Sequence, residues 1–228
     1  MPAYHQFCPV AKAMELLDER WTLLVVRELV TGSQHFNALR RGLPRISPSL
    51  LSKRLQQLTR AGVIERSDDG RYVLTAAGEE LRPIVVGLGH WGARWIGSRL
   101  KRDQLDAGFL MWDIRRFAQI DRFPRDRRVV IHFQFRDAPR GEKQWWLVVE
   151  NRTTDLCRDD PGHEVTVVVE STVRALTEVW TGDTEPDKEI AAGNLNVVGA
   201  GRRGQQLWRW LGTSLFAPTR AAARAVAT

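Results

Sequence analysis

Residues 46–66 read ISPSLLSKRLQQLTRAGVIER, and this stretch decides the organisation of the first half of the chain. Ser47 is a natural N-cap and Pro48 suits the first helical position, where no amide donor is needed. Gly62 ends the helix. Leu51, Leu55 and Leu58 recur at helical spacing and form one apolar face, while Ser49, Ser52, Lys53, Gln56, Gln57 and Arg60 occupy the other. A helix fits the major groove of a DNA duplex, where Ser, Gln, Lys and Arg side chains reach base edges or phosphates, and a helix N-terminus favours a phosphate.

Working outward, Val63–Arg66 and Tyr72–Leu74 read as two short strands around the turn Ser67-Asp68-Asp69-Gly70, a hairpin with a glycine-containing turn. Upstream, Pro9 opens a helix with Val10, Met14 and Leu17 on its apolar side, and Trp21 to Val30 forms a second, very apolar helix that Thr31-Gly32 ends. Ser33 is the expected N-cap of a short third helix carrying Phe36 and Leu39, closed by Gly42 and Pro44. Helix, turn, helix and hairpin together predict a winged helix-turn-helix domain. From Ala76 to about Leu100 a further helix carries Leu81, Ile84, Leu88, Trp91, Trp95 and Ile96, a stripe longer than one small domain needs. The surplus serves either a dimer contact or packing on the chain's own C-terminal half.

Charge supports the duplex as partner. Residues 1–102 hold sixteen Lys and Arg against nine Asp and Glu, whereas residues 103–228 hold eighteen of each, so the whole excess of +7 belongs to the first half. Between Glu28 and Glu65 there is no acidic residue, while Arg40, Arg41, Arg45, Lys53, Arg54 and Arg60 are all present. A solvated helix face normally mixes both signs, so a run without acids favours a polyanion. The expected DNA contacts are Arg40, Arg41, Arg45, Ser47, Ser49, Lys53, Arg54 and Gln57, with Arg71 on the hairpin.

The 228 residues suffice for two ordinary domains, and 43% hydrophobic with 27% charged residues is the balance of a soluble globular chain. Two cysteines, Cys8 and Cys157, exclude a disulfide framework and point to a reducing compartment. The start MPAYHQFCPV lacks a basic region followed by an apolar run, and Arg27, His90 and Arg94 interrupt the apolar stretches well short of a membrane span. The expected location is the cytoplasm, without a membrane partner.

The run from Cys8 to Arg66, followed by the short hairpin and YVLTAAGEEL, resembles the HxlR family of bacterial winged-helix transcriptional regulators over about residues 7 to 98. The Cys-Pro start, the Trp-Thr-Leu segment, the Phe-x-x-Leu helix, Ile-Ser-x-x-x-Leu-x-x-Arg-Leu and Leu-Thr-x-x-Gly occur in order. The resemblance implies a DNA-binding homodimer with the Ser47 to Arg60 helix in the major groove. It also implies thiol sensing as a possible role for Cys8, which otherwise reads as a small apolar residue opening the first helix. The hairpin turn, Ser67 to Arg71, is shorter than many in the family and leaves Arg71 as the candidate for minor-groove contact.

The second half, 103–228 with a boundary between 102 and 128, predicts an α+β antiparallel-sheet domain. A helix with Leu110, Ile114 and Phe117 precedes strands at Val129–Phe135, Gln144–Glu150, Thr154–Leu156 and Val165–Glu170, read as a meander. Ser171 is the expected cap of a helix with Val173, Leu176 and Trp180, before a short helix, a strand near Leu195–Val198 and a last helix with Leu207, Trp208, Leu211 and Leu215. The stretch VTVVVESTVRALTEVWTGDTEPDKEIAAGNLNVVGAGRRGQQLWRWLG is similar to sterol carrier protein 2-like domains, with the similarity covering about residues 110 to 217. That similarity implies a hydrophobic tunnel for a lipid-like or aromatic ligand, for which Phe133, Phe135, Trp146, Val148, Val167, Val169, Trp180 and Trp208 are the candidate lining.

Catalytic patterns are weak by contrast. Gly199-Ala200-Gly201-Arg202-Arg203-Gly204 satisfies G-x-G-x-x-G, but no acidic residue follows Glu189 to hold a ribose, so the glycines read as a tight strand-to-helix turn. The histidines at 5, 35, 90, 132 and 163 include no pair at metal-ligand spacing, and Asp159-Asp160 before Pro161-Gly162 reads as turn chemistry. No catalytic residue, metal or cofactor is expected. The leading expectation is a transcriptional regulator, a homodimer on a dyad-symmetric operator, whose C-terminal domain senses a hydrophobic small molecule. The alternative is a redox-responsive regulator acting through Cys8, and the third is a lipid-binding or transfer protein.

Overall fold

In the computed structural model, residues 4–96, 100–199 and 202–227 are described, and the chain divides into two units, 1–90 and 91–228. The first unit contains α1 (Pro9–Leu17), α2 (Thr22–Val30), α3 (Phe36–Gly42), α4 (Pro48–Arg60), a hairpin of β1 (Ile64–Arg66) and β2 (Tyr72–Leu74), and the start of α5 (Ala76–Trp95). Helix α4 begins where the sequence predicts, with the Ser47 hydroxyl accepting from the Leu50 amide at 3.2 Å. Leu51, Leu55 and Leu58 are fully buried against Val25, Val26 and Leu29 of α2 and Leu39 of α3. Burial of three leucines supplies roughly 2 kcal/mol each and fixes which face of α4 meets solvent.

Ser33 does not cap α3. It is buried, and its hydroxyl donates to Glu28 Oε2 at 3.1 Å, because the carboxylate of Glu28 is buried and requires donors. Arg27 Nη2 donates to Glu28 Oε1 at 2.6 Å and to the Gly42 carbonyl at 2.9 Å. A Cβ on Gly42 would stand 1.8 Å from Glu28 Oε2, so only glycine lets the end of α3 approach this carboxylate. The hairpin pairs Ile64 with Leu74 and Arg66 with Tyr72, and Gly70, at φ 82°, makes its turn.

The second unit contains α6 (Ala107–Phe117), β3 (Val129–Phe135), β4 (Gln144–Glu150), β5 (Thr153–Cys157), β6 (Val167–Ser171), α7 (Val173–Thr181), α8 (Pro186–Ala191), β7 (Leu195–Gly199), α9 (Arg202–Leu211) and α10 (Ala217–Ala227). The sheet order is β5-β4-β3-β6-β7. It is mixed rather than antiparallel: β3 pairs with β6 in parallel, while β3–β4, β4–β5 and β6–β7 are antiparallel. The reason is the connection between Cys157 and Val167, which carries the chain from the edge strand β5 past two strands to the far side of β3. Thr172, not Ser171, caps α7, accepting from the Ala175 amide at 3.1 Å, since Ser171 is still paired in the sheet.

Alternation along the strands separates two faces. Ile131, Phe133, Phe135, Trp145, Leu147, Val167 and Val169 pack with Leu110, Met111 and Ile114 of α6, Leu176 and Trp180 of α7, and Leu207 and Trp210 of α9. The other face carries His132, stacked on Trp146 with ring centroids 4.3 Å apart, together with Val148 and Val198. Among the described residues no helix is long and apolar enough to cross a membrane.

Candidate nucleic-acid interface

The solvent face of α4 is built by subtraction. Once Leu51, Leu55 and Leu58 are fixed inside, helical geometry turns Ser49, Lys53, Gln56 and Arg60 outward, and all four are exposed. Ser47 and Ser49 stand at the helix N-terminus with their hydroxyl oxygens 3.2 Å apart. Arg40 and Arg41, in the last turn of α3, and Arg45, in the segment leading to α4, are also exposed. Of the two acids that flank this run, Glu28 is buried and Glu65 is exposed on the hairpin, so residues 29–64 themselves present cations, hydroxyls and amides. That combination can neutralise phosphates and meet base edges.

Arg54 departs from the expectation that it contacts DNA. Its side chain is 6% exposed, and all three guanidinium nitrogens are engaged: Nε donates to the Arg20 carbonyl at 3.0 Å, Nη1 to Gln57 Oε1 at 2.6 Å and Nη2 to Glu19 Oε2 at 2.5 Å. Position 54 lies beside Leu51, Leu55 and Leu58 on the helix, so the packing that buries them also buries the arginine stem. Gln57 is half-buried at the border of the polar face. Glu19 and Arg20, in the corner between α1 and α2, were not among the residues singled out from sequence. A charged residue falling on an apolar stripe was the available signal that Arg54 needed an internal partner.

The hairpin turn offers little to a polyanion. Arg71 Nε is paired with Asp69 Oδ2 at 2.6 Å, and its Nη1 reaches Gln34 Oε1 at 3.4 Å. Asp68 and Asp69 are exposed beside it. The Ser67 hydroxyl, aided by the Arg71 backbone amide and guanidinium, holds the Asp69 carboxyl below its ordinary value. Arg71 is therefore drawn to its own turn, with two carboxylates next to it.

Cys8 is half-buried at the N-cap position of α1, a helix with no buried residue, and its side chain makes no capping hydrogen bond. Cys157, opposite Trp146 in the sheet, has its thiol pushed above the ordinary value by burial and by the carboxylates of Asp155 and Asp159.

The eight residues expected to line a ligand tunnel do not share one cavity. Phe133, Phe135, Val167, Val169 and Trp180 interlock in the core under the helices, and Trp208 packs partly buried against them. Trp146 and Val148 are on the opposite side of the sheet. A cleft of about 550 Å³ opens elsewhere in this unit, at the N-termini of α6 and α7. Leu105, Ala107, Ala138, Pro139 and Val173 give it an apolar floor, and Arg102, Asp106, Asp137, Glu142 and Arg174 give it a polar wall. Asp106 and Asp137 are committed as caps, accepting from the Phe109 and Val173 amides at 2.7 and 2.8 Å. Of the G-x-G-x-x-G stretch, Gly199 ends β7 and Gly204 is in α9, while Ala200 and Gly201 lie outside the described residues. No group of three His, Cys, Asp or Glu side chains among the described residues is arranged to hold a metal ion.

Residues 16–99 match the HxlR-like helix-turn-helix family. The chain is 36% identical over 98 residues to YvaP, an HTH-type transcriptional regulator of Bacillus subtilis, a match covering 40% of this chain and 91% of YvaP. It is 35% identical over 95 residues to the HTH-type transcriptional regulator sll1512 of Synechocystis, covering 39% of this chain and 70% of the relative. Among solved structures, the quinone-bound YodB of B. subtilis is 29% identical, with a TM-score of 0.36, covering 39% of this chain and all of YodB.

Proposed function

We propose, from the premise that this chain belongs to the HxlR-like helix-turn-helix family, that it is a DNA-binding transcriptional regulator and not an enzyme, reading duplex DNA with α4. The observation that carries this is the exposed polar and basic face of α4, joined by Arg40, Arg41 and Arg45 within residues 29–64, a segment without an acidic side chain. The domain of residues 1–102 acts as a homodimer on a dyad-symmetric operator. Support comes from α5, whose Ile84, Leu88, Trp91 and Trp95 recur at spacings of four, three and four and are each at least half exposed. That is the spacing of a helix seam that pairs with a copy of itself. The domain of residues 103–228 binds a small-molecule effector. The sterol carrier protein 2-like pattern motivates an apolar ligand, and the cleft at α6 and α7 has the volume for one, with a mixed lining.

Footprinting with the full chain tests the reading: two protected half-sites about one or two helical turns apart are expected. If Arg40, Arg41, Arg45 and Arg60 of each protomer meet phosphates, a dimer makes about eight contacts. Its affinity then falls on the order of 10⁴-fold between roughly 50 and 200 mM salt. A flat salt response overturns it. A redox reading through Cys8 is favoured by one observation, the half-exposed thiol at the start of a helix that buries none of its residues. It requires that mild oxidant change the DNA affinity of the wild type and leave Cys8→Ser unaffected.

A further inference from the structure

We infer that Arg54 is a positioning residue of the DNA-reading helix, and that by binding the amide oxygen of Gln57 it makes Gln57 a hydrogen-bond donor toward the major groove, selecting guanine over adenine. The inference rests on the DNA-binding reading of α4 given above and adds a base preference to it.

A guanidinium has five N–H donors and no acceptor. The Gln57 atom 2.6 Å from Arg54 Nη1 must therefore be the amide oxygen, which leaves the two N–H groups of Gln57 Nε2 directed away from the arginine. Arg54 cannot turn to release it, because Nε is held by the Arg20 carbonyl and Nη2 by the Glu19 carboxylate in the α1–α2 corner. The corner is itself closely defined: Trp21, the N-cap of α2, sits at φ 81°, in the left-handed region, with the Arg20 guanidinium 5.5 Å from its ring.

Glutamine reads adenine with both ends of its amide, the oxygen accepting from N6 and the nitrogen donating to N7. Here the oxygen already accepts a short, charge-assisted bond, and a base that needs it must compete with Arg54. Guanine presents N7 and O6, two acceptors for the two N–H groups, and cytosine presents only a donor in the major groove. Position 57 stands at the edge of the exposed face, next to Lys53 and Arg60, where a side chain of this length reaches a base edge.

The test selects duplexes from a random pool with the full-length protein, then measures affinity for single-base variants of the chosen operator. The wild type is expected to prefer guanine to adenine by about tenfold at one base pair of each half-site. Gln57→Ala should abolish that preference and leave the other positions unchanged. The double variant Glu19→Gln, Arg54→Met, which strands no carboxylate, should shift the same position toward adenine by freeing the amide oxygen. A merely structural role for Arg54 would lower all affinities together. Gln57→Glu keeps the bond to Arg54 and loses both N–H groups, so it should lose the guanine preference even if the double variant fails to fold. Selection of adenine at the Gln57 position, uniform weakening by Gln57→Ala, or an unchanged base choice in the folded double variant would each overturn the inference. If the wild type selects no sequence at all, the DNA-reading premise fails and takes the inference with it.

Discussion

Helices α4 and α5 both carry an apolar stripe, but they use it differently. In α4 the stripe is consumed within its own unit: Leu51, Leu55 and Leu58 have essentially no exposure, and even Arg54 is drawn in beside them. In α5, Val85 is buried while Ile84, Leu88, Trp91 and Trp95 remain exposed along one side of a helix that continues through Pro83. One helix closes a fold and turns its polar side to solvent. The other spends little of its apolar surface on the unit it starts in, and exposed aromatic area of this kind marks an interaction surface. The same physical pattern therefore has an internal answer in α4, and its exposure in α5 is what supports the proposed pairing with a second copy.

The largest expected effect comes from breaking the stripe of α4. Leu55→Ala leaves a cavity under the helix and should cost about 2–5 kcal/mol of stability, seen as a lower denaturant midpoint with unchanged slope. A loss below about 1 kcal/mol would mean that α4 is not anchored as described. The stripe of α5 should behave in the opposite way. Leu88→Glu or Trp91→Ala should weaken self-association by about thirtyfold or more, measured by sedimentation, while the unfolding midpoint of the monomer stays put or rises. A parallel loss of monomer stability would place those residues in an internal core.

The polar side of α4 divides in the same manner, with smaller effects. Lys53→Ala should cost about 1–3 kcal/mol of operator affinity and relax base choice at one position of each half-site, whereas Arg40→Ala should weaken all sequences alike and flatten the salt slope by about two, one for each protomer. Equal behaviour of the two would remove the distinction between reading and positioning. The smallest effect belongs to the hairpin turn. Because the folded state holds the Asp69 carboxyl below its ordinary value, its contribution is present above the carboxylate range and is lost as pH falls through the depressed value. An NMR titration should find the Asp69 carboxyl titrating below the ordinary carboxylate value, and Ser67→Ala should raise it toward that value. No response to Ser67→Ala would assign the shift to Arg71 alone.

Much of the first unit was legible in the chain because its signals are local. Ser47 caps α4, Pro48 opens it, and the leucine spacing buries one face, all within fourteen residues and governed by hydrogen bonds and side-chain direction along one helix. The basic run without acids and the hairpin around Gly70 are equally local, and both stand where the residues put them. The strands of the second unit were likewise visible from their alternation, to within one or two residues at their ends.

What tertiary structure decided was everything that depends on partners far away in sequence. Ser33 gives its hydroxyl to Glu28 instead of capping α3, and Arg54 turns from a base edge to Glu19 and Arg20, thirty-five and thirty-four residues earlier. Alternation says which residues share a face but not which strand lies alongside, so the parallel pairing of β3 with β6 depended on the path of the segment after Cys157. The aromatic residues of the second half filled the core under the helices, or the opposite face of the sheet, and the open cleft formed instead where two helix starts converge. The physical reason is common to all of these. A local pattern fixes the direction of a side chain, but whether a polar group is satisfied or a volume filled is settled only by what the rest of the chain brings to meet it.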